Sequence, residues 1–435
     1  LSAAPSSVFV GGAEGGKAGF PVGKKPYIKE GPNSIQFGFR LQVRYQAFLH
    51  SDDAVGTLSD AGNPVSGAAP RDRSGFEIER ALFSLDGTLF CPDITYNLEL
   101  NFDADAGSGV EKRYAFIDWK YADNHHVRAG GDKVAYSGEF LHSSGSLAFV
   151  DRTIVGKAFD LAFDVGLGLW GTFGPCDCPK SFMYKVQALT GEGNFNRGSV
   201  FNTDAFDTYS DQLLFAGMLE WTPTCEAWGM DMVDHRACDK RCELQLAIGV
   251  AAYHENADDA KRDQWGGLRL GDRDDRADRT GFNAWVRGRW NGLAWLGEYY
   301  LRKIEYTRSG SGGPSTAPEQ VDSGAALTVH YRFADSNWGV GARYGIIWLD
   351  DDHLSVTSGP QGNQTTVALE DTITELGFAV SYYFHDHKNK VTADVLWVND
   401  NSGVNSTSAG YMNGASRGVL VEDGVMLRIE WQLAF

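Results

Sequence analysis

The chain holds no run of about 18 consecutive apolar residues, which excludes a membrane-spanning helix. Proline is scarce, at 13 of 435 residues, as many paired central strands would require. Basic residues are also in short supply: 39 Lys and Arg face 57 Asp and Glu, a net charge of -18. That sign argues against nucleic acid as a partner. No His-Glu-x-x-His and no P-loop motif occurs, and histidines such as His125-His126 lack partners at ligand spacing. No enzyme, catalytic residue, cofactor or metal is therefore expected.

What is abundant points to sheet. There are 52 Gly, 25 Phe, 17 Tyr and 12 Trp, a composition suited to bent strands with aromatic belts. Mean hydropathy is -0.30, as in a soluble protein. A transmembrane barrel hides from such averages because only alternate residues face lipid. Ile35, Phe37, Phe39, Leu41, Val43, Tyr45, Ala47 and Leu49 fall on one face of an extended chain. Gln36, Gly38, Arg40, Gln42, Arg44 and Gln46 fall on the other. A helix would smear both sets around its circumference. The period recurs at 94–102, 161–169, 182–188, 213–221, 244–250 and 376–384. The final stretch, from Val425, alternates up to the terminal Phe435 and resembles the assembly signal of outer-membrane proteins.

Connections alternate in length. Short turns are expected at Cys91-Pro92-Asp93, Asp123-Asn124, Asn291-Gly292, Asp335-Ser336-Asn337 and His387-Lys388-Asn389. Long polar loops are expected at 51–74, 194–207, 256–278, 309–321, 350–371 and 399–423. This asymmetry, with short turns toward the periplasm, is that of the bacterial outer membrane. Strand counting predicts an all-β, antiparallel transmembrane barrel of about 16 strands over residues 34–435. Residues 1–33, rich in Gly and Ala, read as an N-terminal periplasmic arm or linker. A start at Leu1 without Met fits a removed signal peptide.

Six cysteines, Cys91, Cys176, Cys178, Cys225, Cys238 and Cys242, fall at or beside expected turns on the periplasmic side. Disulfides bracing those turns are the favoured reading in an oxidising compartment. The alternative is zinc on Cys176 and Cys178 with Cys225, Cys238, Cys242 or His235, but no CxxC pair is present. One long connection, 222–241, breaks the short-turn rule.

Residues 130–155 are too apolar for a solvated surface loop. A third loop folded inward against the barrel wall needs this composition. Ser143, Ser144, Ser146, Asp151 and Arg152 would then line the constriction. The bland alternative covers an outer contact instead.

Phe76-Glu-Ile-Glu-Arg80, Ser84-Leu-Asp-Gly87, Ala115-Phe-Ile-Asp118-Trp119, Gly131-Asp-Lys133 and Leu147-Ala-Phe-Val-Asp-Arg152 resemble the phosphate-selective porin O and porin P family. Gly191-Glu-Gly193 and Gly297-Glu298-Tyr-Tyr300 are similar too. The resemblance covers about Ser34 to Phe435. It implies a homotrimer of 16-stranded barrels, each with an inward third loop, passing small hydrophilic solutes and ions, phosphate or other anions among them. Outer-membrane lipid would surround the barrel. Parity sends Arg40, Arg44, Arg80, Lys185, Arg287, Arg289, Arg302, Arg343 and Arg428 toward the lumen. Arg128, Lys133, Arg152 and Lys157 lie by the third loop. Glu99, Asp103, Asp118, Asp132, Asp164, Glu298 and Glu430 also face inward, with Asp132 where the family would have a neutral Gln. This mixed lining predicts weak ion selectivity at most. Each inward Arg has an equally good structural reading, paired to an inward acid. The rival functions are an abundant structural or adhesive barrel with little conductance, an outer-membrane lipase or protease, and a soluble multi-domain β protein.

Overall fold

The computed structural model describes residues 10–11, 17–19, 25–50, 57–58, 64–65, 72–102, 110–190, 213–224, 243–257, 276–308, 319–334, 336–350, 354–358, 364–368, 372–400 and 424–435. Sixteen antiparallel strands follow one another around the wall. They are β1 (Asn33–His50), β2 (Arg73–Leu89), β3 (Cys91–Asn101), β4 (Glu111–Ala122), β5 (His125–Lys133), β6 (Phe163–Phe173), β7 (Phe182–Leu189) and β8 (Leu214–Trp221). The second half comprises β9 (Gln245–Ala257), β10 (Arg276–Trp290), β11 (Leu293–Arg308), β12 (Gln320–Arg332), β13 (Trp338–Trp348), β14 (Thr372–His385), β15 (Asn389–Asp400) and β16 (Gly424–Ala434). β16 pairs with β1 from Ala434↔Arg40 to Gly424↔His50. The sheet is therefore closed and leaves no edge to be satisfied in lipid.

Turn chemistry sets the short end. Asn291 and Gly292 both have positive φ, the conformation a two-residue hairpin needs. Asn124 and Asp386 take positive φ at two more tight turns, and Phe90 does so at a third. The outward face near this end carries Trp119, Tyr121, Phe173, Trp221, Trp290, Phe333, Trp338, Phe384 and Trp431, all exposed. They form an aromatic girdle of the kind that seats a barrel at a membrane interface. Val165, Leu167, Leu219, Val250 and Val286 continue the apolar face above it.

Of the register shifts in the wall, two interrupt the alternation beside the passage. The β1–β2 register passes from Gln42↔Arg80 to Val43↔Ile78 and skips Glu79. The β3–β4 register passes from Glu99↔Tyr114 to Leu100↔Lys112 and skips Arg113. A bulge turns two successive side chains to one side, so Glu79 and Arg80 are both buried inside. Before β1, Tyr27–Glu30 pairs with the start of β1, and Lys17–Gly19 pairs with Tyr27–Glu30. Part of the 1–33 segment thus joins the sheet.

Between β5 and β6 the chain enters the barrel. Ser137 caps a short helix α1 (Gly138–Leu141), Ser143 caps a 3-10 turn at Ser144–Ser146, and Thr153 caps α2 (Ile154–Phe159). Each cap hydroxyl accepts a backbone N–H that would otherwise be orphaned inside the protein. Val134, Tyr136, Ile154, Val155, Phe159 and Leu161 pack on inward-facing Met183, Leu214, Met218, Tyr253, Trp285, Tyr300 and Ile347. Leu161 therefore belongs to this inner core. The alternation at 161–169 places both Leu161 and Phe163 on the outer face; the strand begins only at Phe163, after a positive φ at Ala162, and Phe163 is itself buried on the inner side.

Candidate functional site

The third loop leans on one half of the wall and leaves the other half open. Its polar groups dock on charged side chains that parity sends inward. Arg302 donates to the Ala158 carbonyl at 3.1 Å, and Arg343 to the Asp151 carbonyl at 2.6 Å. Lys390 donates to Leu147 O at 2.7 Å and Gln432 to Gly145 O at 2.8 Å. Asp394 accepts the Val150 N–H at 3.0 Å.

The same arginines are paired with acids on neighbouring strands. Arg302 meets Asp322 at 3.0 Å, Arg343 meets Glu375 at 2.7 Å, and Arg428 meets Asp394 at 2.7 Å. Arg287 pairs with Glu220. Arg44 lies 3.0 Å from Glu79 and 3.1 Å from Glu430, and Arg80 lies 3.0 Å from Glu79. Lys157 holds Asp151 at 2.6 Å. Glu298 accepts the Glu139 N–H at 3.0 Å, and Arg289 donates to Gln245. Most of these residues are buried beside or beneath the loop.

Burial alone would raise the Asp151 carboxyl, but Lys157, Arg44 and Arg80 hold it well below the ordinary value. Burial raises Glu139 against hydrogen bonds from Thr153, and pushes Asp160 up to about 7. Burial, with Arg287, Lys133 and Arg152 nearby, keeps His142 neutral by lowering it well below its usual range.

The open half is a passage of 520 Å³. Its outer wall is Arg40 on β1, Ser84 on β2, Asn97 and Glu99 on β3, Arg113, Tyr114 and Phe116 on β4, and Arg128, Asp132 and Lys133 on β5. The loop supplies Phe140, Ser143, Ser144, Gly145, Ser146 and Arg152. Lys25, from the segment before β1, reaches the same space and pairs with Asp86. Asp132 is held between Arg128 at 2.7 Å and Lys185 at 2.8 Å. Asp118 sits just beyond, bound by Arg128 at 2.9 Å and His126 at 2.6 Å.

Arg40 and Arg152 differ from Lys25 and Arg128, which have acid partners. Arg40 donates to Ser143 at 3.3 Å, and Arg152 donates to the His142 and Phe140 carbonyls at 3.2 and 3.4 Å. Among the described residues neither has a carboxylate at ion-pair distance. Lys133 donates to Leu141 O at 3.1 Å and His142 O at 2.6 Å.

Sequence parity missed Glu79 and Arg113. Glu79 had a signal: apolar Phe76 and Ile78 are followed by Ala81 and Phe83, so the period slips by one at Glu79-Arg80. Asp103 lies outside the described residues, as do Cys225, Cys238, Cys242 and His235. Of the cysteines expected in disulfides, Cys91 and Cys176 are free. Cys91 opens β3 beside the Phe90 turn, while Cys176 is exposed in the separate turn between β6 and β7. In that second turn Cys178 is the disulfide-bonded residue.

A family described as phosphate-selective porin O and P matches residues 60–312. No curated protein matches the sequence. The trimer form of OmpT, an outer membrane protein of Vibrio cholerae, has a TM-score of 0.55 at 11% identity, covering 93% of this chain and 100% of its own. An anion-selective porin from Comamonas acidovorans has a TM-score of 0.52 at 10% identity, covering 93% of this chain and 100% of its own. OprB of Pseudomonas putida has a TM-score of 0.52 at 13% identity, covering 92% of this chain and 94% of its own. At these identities the likeness is one of fold.

Proposed function

The chain belongs to the phosphate-selective porin O and P family and is a passive diffusion channel of the bacterial outer membrane, and from that premise we propose that it prefers anions and works as a homotrimer. One observation carries the anion preference. Among the described residues, six cations, Lys25, Arg40, Arg113, Arg128, Lys133 and Arg152, line the passage against two carboxylates, Glu99 and Asp132. Of the inward acids elsewhere, Asp322 and Glu375 pair with arginines that hold the third loop, while Asp86 and Asp118 pair with Lys25 and Arg128 of the lining. The count of inward charges in the sequence overstates the acid that a permeating ion meets. A narrow passage with low-dielectric walls focuses the remaining positive potential onto that ion.

The third loop sets the size limit, and Ser143, Ser144 and Ser146 supply hydroxyls in place of lost hydration water. The short-turn end, with the segment before β1, faces the periplasm. The trimer form of the OmpT structure supports the homotrimer, and the likeness to an anion-selective porin from Comamonas acidovorans agrees with the charge reading.

Reversal potentials across a planar bilayer under a KCl gradient test the proposal. Chloride should be the more permeant ion. Replacing Arg40 or Arg152 by alanine should reduce the chloride-to-potassium ratio severalfold. A wild-type channel that prefers potassium would sink the anion reading. A barrel that inserts and carries no current would favour the structural alternative.

A further inference from the structure

The passage has an aromatic flank that a phosphate channel does not require. Tyr114 and Phe116 on β4, Phe140 on the loop and Phe163 at the start of β6 all line it. They form a connected set: Tyr114 lies 6.0 Å from Phe116 and 5.0 Å from Phe163, and Phe163 lies 5.5 Å from Phe140, ring centre to ring centre. Cations stand over this set. Arg128, already bound to Asp118 and Asp132, lies 3.9 Å from the centre of Phe116. Arg152 lies 4.5 Å from the centre of Phe140.

Apolar side chains are not needed to keep a lumen wet. A small hydrated dianion such as phosphate gains nothing from them and loses water beside them. An anion with a flat apolar body gains on both counts. Its carboxylate finds guanidinium N–H groups, and its ring meets ring edges and stacked guanidinium planes.

We propose that the constriction is a transient binding site for aromatic monocarboxylates, with Arg40 and Arg152 taking the carboxylate and the Tyr114–Phe116–Phe163–Phe140 flank taking the ring. This rests on the anion preference proposed above.

The experiment is block of single-channel chloride current by added sodium benzoate, sodium acetate or sodium phosphate. Only folded, inserted channels give a record, so misfolded protein does not enter the data. Benzoate should half-block at a concentration at least about threefold below that of acetate, the effect of one favourable ring contact. Phe116→Leu and, separately, Tyr114→Leu should bring benzoate toward the acetate value, because leucine keeps apolar bulk and loses the ring. Equal block by benzoate and acetate, stronger block by phosphate than by benzoate, or an unchanged benzoate-to-acetate ratio in both variants would overturn the aromatic site. The anion reading fails separately, through a reversal potential that favours potassium.

Discussion

Arg40 and Arg343 carry the same guanidinium to the same lumen and serve different ends. Arg343 is fixed between Glu375 and the Asp151 carbonyl, whereas Arg40 touches Ser143 and faces the passage. An acid partner makes a support; a place in the lining of the passage with no acid at ion-pair distance makes a selectivity group. Gly145 marks the boundary between the two. A Cβ there would run into the Arg40 Nη1 atom, the far end of a flexible side chain. Gly145→Ala should therefore leave unfolding unchanged within about 0.5 kcal/mol and alter single-channel conductance by moving Arg40. Loss of stability with normal conductance would show that Arg40 is rigid. Arg428→Ala should do the opposite. It leaves Asp394 buried without its twin hydrogen bonds at 2.8 and 2.7 Å. Breaking such a pair costs about 3–5 kcal/mol, read as a lower urea midpoint for the refolded barrel. Asp394→Asn added to Arg428→Ala should recover part of that loss.

Among elements, the third loop shows most clearly what pattern reading reaches. Its apolar content and its serines were legible, because a solvated loop would not carry Leu147, Phe149, Val150, Ile154 and Val155 so close together. The half of the wall it covers was not legible. That depends on Trp285, Tyr300 and Met218 turning inward, and inward apolar residues break the simple rule of a wet lumen. The charge pairs were equally hidden, because cross-strand partners follow from register, and the bulges at Glu79 and Arg113 reset it. The loop also carries a pH signature. Asp160 is raised to about 7 and Glu139 is raised, so between the ordinary carboxyl value near ~4 and their folded values the native state binds more protons than the unfolded chain. Their contribution to stability therefore falls as pH rises through this window. His142, lowered, opposes them below its ordinary value of about 6.5. The clean test is thus a difference between proteins. Asp160→Asn, which keeps an acceptor for the Ala162 N–H at 3.1 Å, should be more stable than wild type at pH 8 and equal to it near pH 4. A variant that loses stability at pH 8 would mean that the ionised carboxylate is the favoured form.

For the whole molecule, one closed sheet separates two solvents, and adjacent residues on a strand belong to different ones. The 16-strand closure, the outward apolar face and the terminal Phe435 strand were all readable from alternation, since period two is imposed by lipid on one side and water on the other. Phe435 extends the closure through reciprocal backbone hydrogen bonds with Phe39, at 3.0 and 3.3 Å. The division predicts opposite outcomes for charges placed on opposite faces. Leu167, 54% exposed on the outer face of β6, meets lipid, and Leu167→Arg should cost about 2–4 kcal/mol if it lies near the midplane, read from unfolding in lipid vesicles. Asn97 lines the passage, and Asn97→Asp should leave stability nearly unchanged while lowering the chloride-to-potassium ratio, because it adds a carboxylate beside Glu99. If the two substitutions instead produced the same stability loss and the same current, the barrel would have no distinct wet side, and neither the passage nor its selectivity would exist as described.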